Sequence, residues 1–146
     1  VQIGFKSVAV SMTEFNQFIS NNIKTAITGT TAGNAAVDYE LLKISKGSAP
    51  QLNITESYVE AGILEIRWTT PVGPPISADS KLFLVVLNSS GELVYSAESN
   101  TMETYEFQLN TAGTGITPAS DHFYLFYVRS DNGTTSDSQY LDISII

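Results

Sequence analysis

From Ala49 onward the chain sets short apolar runs between turn-forming clusters at near-regular intervals, and this spacing constrains the fold more than any other feature. The runs are "LNITESYV", "ILEIRWTT", "KLFLVVLN", "ELVYSAES", "TMETYEFQLN", "HFYLFYVRS" and "SQYLDISII". Gly47 and Pro50 precede the first run, and between the runs lie the prolines of "PVGPPISADS", Ser89-Ser90-Gly91, "TAGTGITPASD" and the hairpin signal Asp131-Asn132-Gly133. Strands so spaced, with no helices between them, argue for a sandwich or barrel and against a parallel α/β sheet. In "ILEIRWTT", Leu64, Ile66 and Trp68 share one face, and Ile63, Glu65, Arg67 and Thr69 the other. "KLFLVVLN" and "HFYLFYVRS" are apolar on both faces, as central strands are. "TMETYEFQLN" alternates, with Tyr105, Phe107 and Leu109 together.

The first third reads differently. Ser11 followed by Glu14 forms a capping-box pattern, and Val10 and Phe15 fit a hydrophobic staple around it. Phe15, Phe18, Ile19, Ile23, Ala26 and Ile27 recur at helical spacing. The spacing predicts an amphipathic helix from Met12 to Thr28, stopped by Gly29. Val37, Tyr39 and Leu41 then alternate before the phase slips to Leu42 and Ile44, which predicts a bulge or bend. The predicted division is residues 1–48, a strand, helix and strand packed on or appended to the sandwich, and residues 49–146, the sandwich itself.

The 146 residues carry a formal charge of −8, from 15 acidic against 7 basic side chains. That field repels a phosphate backbone, so nucleic-acid binding is not expected. Without cysteine, disulfides, thiolate metal sites and cysteine nucleophiles are excluded. No apolar run is long enough for a helical membrane span. No signal-peptide pattern is present, and a start at Val1 reads as a processed or trimmed chain. Only 15% of residues are charged, with Ser, Thr and Asn in their place, as in secreted and cell-surface β-proteins.

The segment from about Ala49 resembles a fibronectin type III domain. The carrying residues are Trp68 and Pro71 in "ILEIRWTTP", the long apolar strand "KLFLVVLN", and "ITPASDHF", where Ile116, Pro118 and Ser120 match a tyrosine-corner pattern. The tyrosine slot falls on His122 or Phe123, so the corner's hydroxyl-to-backbone bond is absent or made differently. The whole chain also resembles an uncharacterised family of Bacteroidota proteins, a domain of unknown function, through "IGFKS", "MTEFNQFISNNIKTAITGT", "VDYELLKISKGS" and "SQYLDISI". That resemblance implies a bacterial source and no particular activity. In that family a Gly-rich, basic segment precedes the equivalent of Val1.

Residues suited to chemistry are few. His122, the single histidine, sits beside Asp121 at the start of an apolar strand and reads as a structural residue with a local hydrogen bond. Asp131 and Asp137 in "DNGTTSD" lack the ligand density of a calcium loop. Glu103 and Glu106 fall on opposite faces of their predicted strand, so they cannot flank one glycosidic bond. Gly113 and Gly115 precede a proline-containing loop, not a phosphate-binding helix. Trp68 reads as a core residue, with a sugar-stacking platform as the other reading. Tyr124, Phe126 and Tyr127 are candidates for an exposed aromatic stripe unless a helix covers that sheet. No catalytic, cofactor-binding or metal residue is expected.

The expected fold is mainly β, an immunoglobulin/fibronectin type III-like sandwich with an N-terminal amphipathic α-helix. The expected function is a non-enzymatic structural or interaction module, a subunit of a bacterial surface or extracellular assembly. A protein partner or self-association is expected, and a carbohydrate-binding module is the alternative.

Overall fold

A computed structural model describes residues 27–28, 36–71, 75–100, 102–130 and 133–146. Its strands are β1 (Ile27–Thr28), β2 (Ala36–Val37), β3 (Asn53–Glu60), β4 (Ile63–Thr69), β5 (Lys81–Leu87), β6 (Leu93–Ser99), β7 (Glu106–Asn110), β8 (His122–Val128), β9 (Gln139–Leu141) and β10 (Ser144–Ile145). Two four-stranded sheets, ordered β10-β3-β4-β7 and β6-β5-β8-β9, pack around a common core, and β1 pairs separately with β2. Among the described strands every pairing is antiparallel except that of β10 with β3, and an isolated parallel bridge joins Ala49 to Ser136. The chain is thus mainly β, a fibronectin type III/immunoglobulin-like sandwich.

Alternation builds the core. Leu64, Ile66 and Trp68 of β4, Leu82, Leu84 and Val86 of β5, and Phe123, Leu125 and Tyr127 of β8 point inward and are all nearly inaccessible. Burying each such side chain contributes roughly 1.5–3 kcal/mol. Between β3 and β4 a two-residue turn, Ala61-Gly62, puts both residues at positive φ (50° and 79°), the geometry that matches the strands' twist.

A second layer lies outside the β5-β8-β9 sheet. Leu42 and Ile44 cluster with the outward-facing Tyr124 and Phe126, and Tyr39, Phe83, Val85 and Tyr140 flank them. The layer is an extended strap, not a described helix. The phase slip at Leu42 is a turn, closed by Leu41 N–H donating to the Asp38 carbonyl at 3.2 Å. The strap then follows residues 135–138. Ile44 N–H donates to Ser138 Oγ (3.0 Å), Ser45 Oγ to the Ser136 carbonyl (2.6 Å), and Ala49 N–H to the Thr135 carbonyl (3.1 Å). Gly47 is required by close approach: a Cβ there would lie 1.8 Å from the Thr135 carbonyl oxygen.

Two sequence expectations change, and a third, the corner made differently, takes a definite form. The predicted helix falls outside the described residues for Met12 to Ala26, but Ile27 and Thr28 are described, and they pair as a strand with Val37 and Ala36. Both are β-branched and precede Gly29, a composition that suits a short strand. Tyr105 does not join Phe107 and Leu109. It closes a turn with φ of 58° and is 49% exposed, because β7 begins only at Glu106. The tyrosine corner is closed by a carboxylate, since Asp121 Oδ2 accepts from Thr117 N–H at 2.7 Å and Asp121 N–H donates back to the Thr117 carbonyl at 2.9 Å.

The C-terminal segment pairs within the chain. Ser144 and Ile145 pair with Tyr58 and Val59, and Ile146 N–H donates to the Val59 carbonyl. The "VQIGF" segment lies outside the described residues.

Candidate functional site

The described surface has a cleft of about 400 Å³ where the turn after β2 meets the start of β8 and the middle of β9. Its lining residues are Val37, Asp38, Tyr39, Glu40, His122 and Tyr140. Pairing fixes the floor: Tyr140 of β9 lies opposite Tyr124 of β8, and His122 of β8 opposite Leu87 of β5. The Tyr39 ring stacks on the His122 imidazole, with centroids 4.1 Å apart and planes 7° apart. His122 Nδ1 lies 2.9 Å from the Tyr140 hydroxyl. Tyr140 in turn meets Tyr124 edge-on, at 5.6 Å and 75°. The Tyr124 hydroxyl donates to the Tyr39 carbonyl at 2.8 Å, which ties the turn to the sheet beneath it.

Two carboxylates rim these rings, and both are exposed. Asp38 Oδ1 accepts from Glu40 N–H at 3.1 Å, which holds that carboxylate in place. Burial, reinforced by the charges of Glu40, Asp142 and Asp38, raises the pKa of the Tyr140 hydroxyl. Burial does the same, more strongly, to Tyr124, aided by neighbouring Tyr140, Tyr39 and Asp38. The cleft therefore combines half-buried rings with negative potential.

The opposite outer face is charged. Arg67 contacts Glu56 (2.9 Å), Glu65 and Glu106 (3.8 Å), and the Tyr58 hydroxyl donates to the second Glu65 oxygen at 2.8 Å. The Glu65 hydrogen bond is the main reason the Tyr58 pKa is raised. One Glu65 oxygen makes no hydrogen bond of good geometry, but the Arg67 guanidinium lies against it.

The residues singled out from sequence are scattered. Trp68 is 2% exposed and packs in the core, and its indole N–H has no acceptor among the described residues. His122 does begin a strand, but its partners are Tyr140 and Tyr39, while Asp121 is used in the corner. Glu103 sits in the turn before β7, not on a strand, and Glu106 lies beside Arg67. Asp137 binds the strap, through Gly47 N–H and Lys46 Nζ at 3.0 Å each, and Asp131 lies outside the described residues. Tyr124, Phe126 and Tyr127 are all buried, so they form no exposed stripe. Tyr127 faces the core, and the strap covers the other two.

The sequence reading missed Asp38, Tyr39, Glu40 and Tyr140. The signal available was the phase slip after Leu41, which marks a turn able to fold back over the sheet. The pairing of Tyr39 with His122 has no local signature.

Among the described residues, no helix is long and apolar enough to cross a membrane. A family model described as "Family of unknown function (DUF6266)" matches residues 1–142. No curated protein matches the chain. Among solved structures, the solution structure of a human fibronectin type III domain is similar at 14% identity. The overlay covers 81% of this chain and 95% of that one, with a TM-score of 0.37. The sandwich assignment rests on strand order and pairing, not on that overlay.

Proposed function

The chain belongs to the DUF6266 family of unknown function, and from that premise we propose that it is a non-enzymatic structural or interaction module, a subunit of a bacterial surface or extracellular assembly. The observation that carries the reading is the β6 edge. Among the described residues, β6 is paired on one side only, runs seven residues and contains neither Pro nor Lys nor Arg; its register shifts once, where Leu93 to Tyr95 oppose Val86 and Leu87, and its one charge is Glu98, so the stretch from Tyr95 to Ala97 carries no guard. Natural sheets guard such edges with those residues, with bulges or with covering chain. Here Leu93, at the start of the edge, is 63% exposed. An edge of this kind accepts a strand from a neighbour, with backbone bonds giving affinity and alternate side chains setting register. Many cell-surface domains use the same architecture, an analogy of fold and not of site.

The non-enzymatic part draws on His122. Its ring is stacked on Tyr39 and bonded to Tyr140, a structural use of a group that could otherwise move protons. The carbohydrate alternative needs rings lying side by side on a surface. Tyr39 and His122 lie face to face instead, which presents at most one plate.

Sedimentation velocity across concentration, with the variant Leu93→Lys/Ser96→Lys, tests the reading. The expected result is a concentration-dependent larger species that the variant removes. A chain that stays monomeric at every accessible concentration overturns the assembly reading. Retention on a polysaccharide column by that monomer supports the alternative. Hydrolytic turnover lost in His122→Ala overturns the non-enzymatic reading.

A further inference from the structure

We propose that the cleft between the Val37–Glu40 turn and strands β8 and β9 binds an arginine side chain presented by a partner polypeptide. The inference goes beyond the module reading and stands on a different part of the molecule, so either can fail alone.

Among the described residues, the cleft's lining holds two carboxylates, three rings, one valine and neither Lys nor Arg. A guanidinium suits that combination better than an ammonium does. It is planar, it stacks on aromatic faces, and its fork of donors matches carboxylate oxygens. It is also more weakly hydrated, which matters in a shallow cleft that cannot strip water from a compact charge. Asp38 is held by its bond to Glu40 N–H, so one carboxylate is oriented before a ligand arrives. The rings are held too: Tyr39 by stacking on His122 and through its carbonyl to Tyr124, and Tyr140 by its hydroxyl contact with His122. Little conformational freedom remains to be lost on binding.

Charge gives a second argument. Asp38, Glu40 and Asp142 all act on the Tyr140 hydroxyl in the same direction, so their potentials add at the cleft. The whole chain, at −8, draws a basic segment toward it. Cation–ring attraction then acts at short range on a group that charge has already brought in. A neutral sugar would gain from the rings but not from the field.

The experiment titrates the intact chain with a (Gly-Arg)₄ peptide and with its citrulline counterpart, which keeps the shape and loses the charge. Ring resonances of Tyr39, His122 and Tyr140 report occupancy directly in the wild type. The arginine peptide should shift all three, and the citrulline peptide should bind at least about tenfold more weakly. Raising salt from about 0.02 M to about 0.5 M should weaken the arginine peptide several-fold. Asp38→Asn/Glu40→Gln should lose about tenfold in affinity. Glu56→Gln/Glu106→Gln, which changes net charge equally on the opposite face, should stay within about twofold. The proposal is overturned if the citrulline peptide binds as well, if the two double variants weaken binding equally, or if the three rings do not shift. Equal binding by a lysine peptide overturns the guanidinium assignment, and ring shifts produced by a neutral oligosaccharide overturn the cationic one.

Discussion

On the outer face of the β3-β4-β7 sheet, Arg67 stands among Glu56, Glu65 and Glu106, open to water. On that of the β5-β8-β9 sheet, Tyr124 and Phe126 lie under a second layer of chain. The inner faces of both sheets fill one core in the same way, so the contrast is confined to the outside. It shows what alternation can and cannot encode. A strand that alternates, such as β4, declares a wet face. A strand apolar on both sides, such as β8, declares that something must cover it without saying what. The proposed arginine cleft lies where that cover ends.

The shared core sets the scale against which the outer faces are measured. Trp68→Ala should cost about 3–5 kcal/mol, read by denaturant melts, because it empties a site between the sheets. Its emission should be blue-shifted and poorly quenched by iodide. Trp68→Phe should cost less, since it also removes an indole N–H that has no acceptor among the described residues. A red-shifted, readily quenched emission would return Trp68 to the surface and undo the core common to both sheets.

On the covered face, Gly47→Ala should cost about 1–3 kcal/mol, because the new methyl meets backbone at Thr135 and the strap must lift. Faster hydrogen exchange at the amides of Ile44 and Ala49, with the β4 amides unchanged, would place the damage in the strap. An unaffected melting temperature would mean that the cover contributes nothing to the sheet beneath.

Strand positions and the inward residues of β4, β5 and β8 were legible because period-two patterning survives in a single sequence. The strap was half legible: the slip at Leu42 announced a turn, but helical spacing farther upstream suggested a helix as the cover. Tyr105 was misplaced because alternation cannot report a positive φ. The cleft was illegible, since it joins Tyr39, His122 and Tyr140 across 101 positions of chain by stacking and one hydrogen bond.

Tyr124→Phe sharpens the contrast at a smaller magnitude. At neutral pH it removes one hydrogen bond to the Tyr39 carbonyl, worth about 0.5–1.5 kcal/mol. Its pH dependence is the stronger signature. The unfolded chain releases a tyrosine proton near pH 10, while burial makes the folded chain keep it to higher pH. Stability is therefore complete below about pH 10 and declines as pH rises beyond it, because only the unfolded state gains from ionising. Phe at this position should flatten part of that alkaline decline. An unchanged alkaline limb would mean that Tyr124 is wetter than its neighbours imply.

The smallest effect belongs to the charged face. Arg67→Met keeps most of the side chain's length and removes its three contacts with carboxylates. Arg67, Glu56 and Glu106 are about half exposed, so water and salt screen most of what the charges gain. Glu65 is the exception, at 11% side-chain exposure, and it keeps the Tyr58 hydroxyl as a partner after the change. The expected loss in dilute buffer is the smallest of the series. It should shrink further at about 0.5 M salt, where the wild type's advantage is screened. Repeating the substitution beside Glu65→Gln separates the buried carboxylate from the exposed ones, because a neutral Glu65 no longer needs the guanidinium. A loss as large as that of Gly47→Ala, and not reduced by salt, would place the Arg67–Glu65 pair among the buried interactions. The two outer faces would then differ in chemistry alone, both being part of what holds the sandwich together.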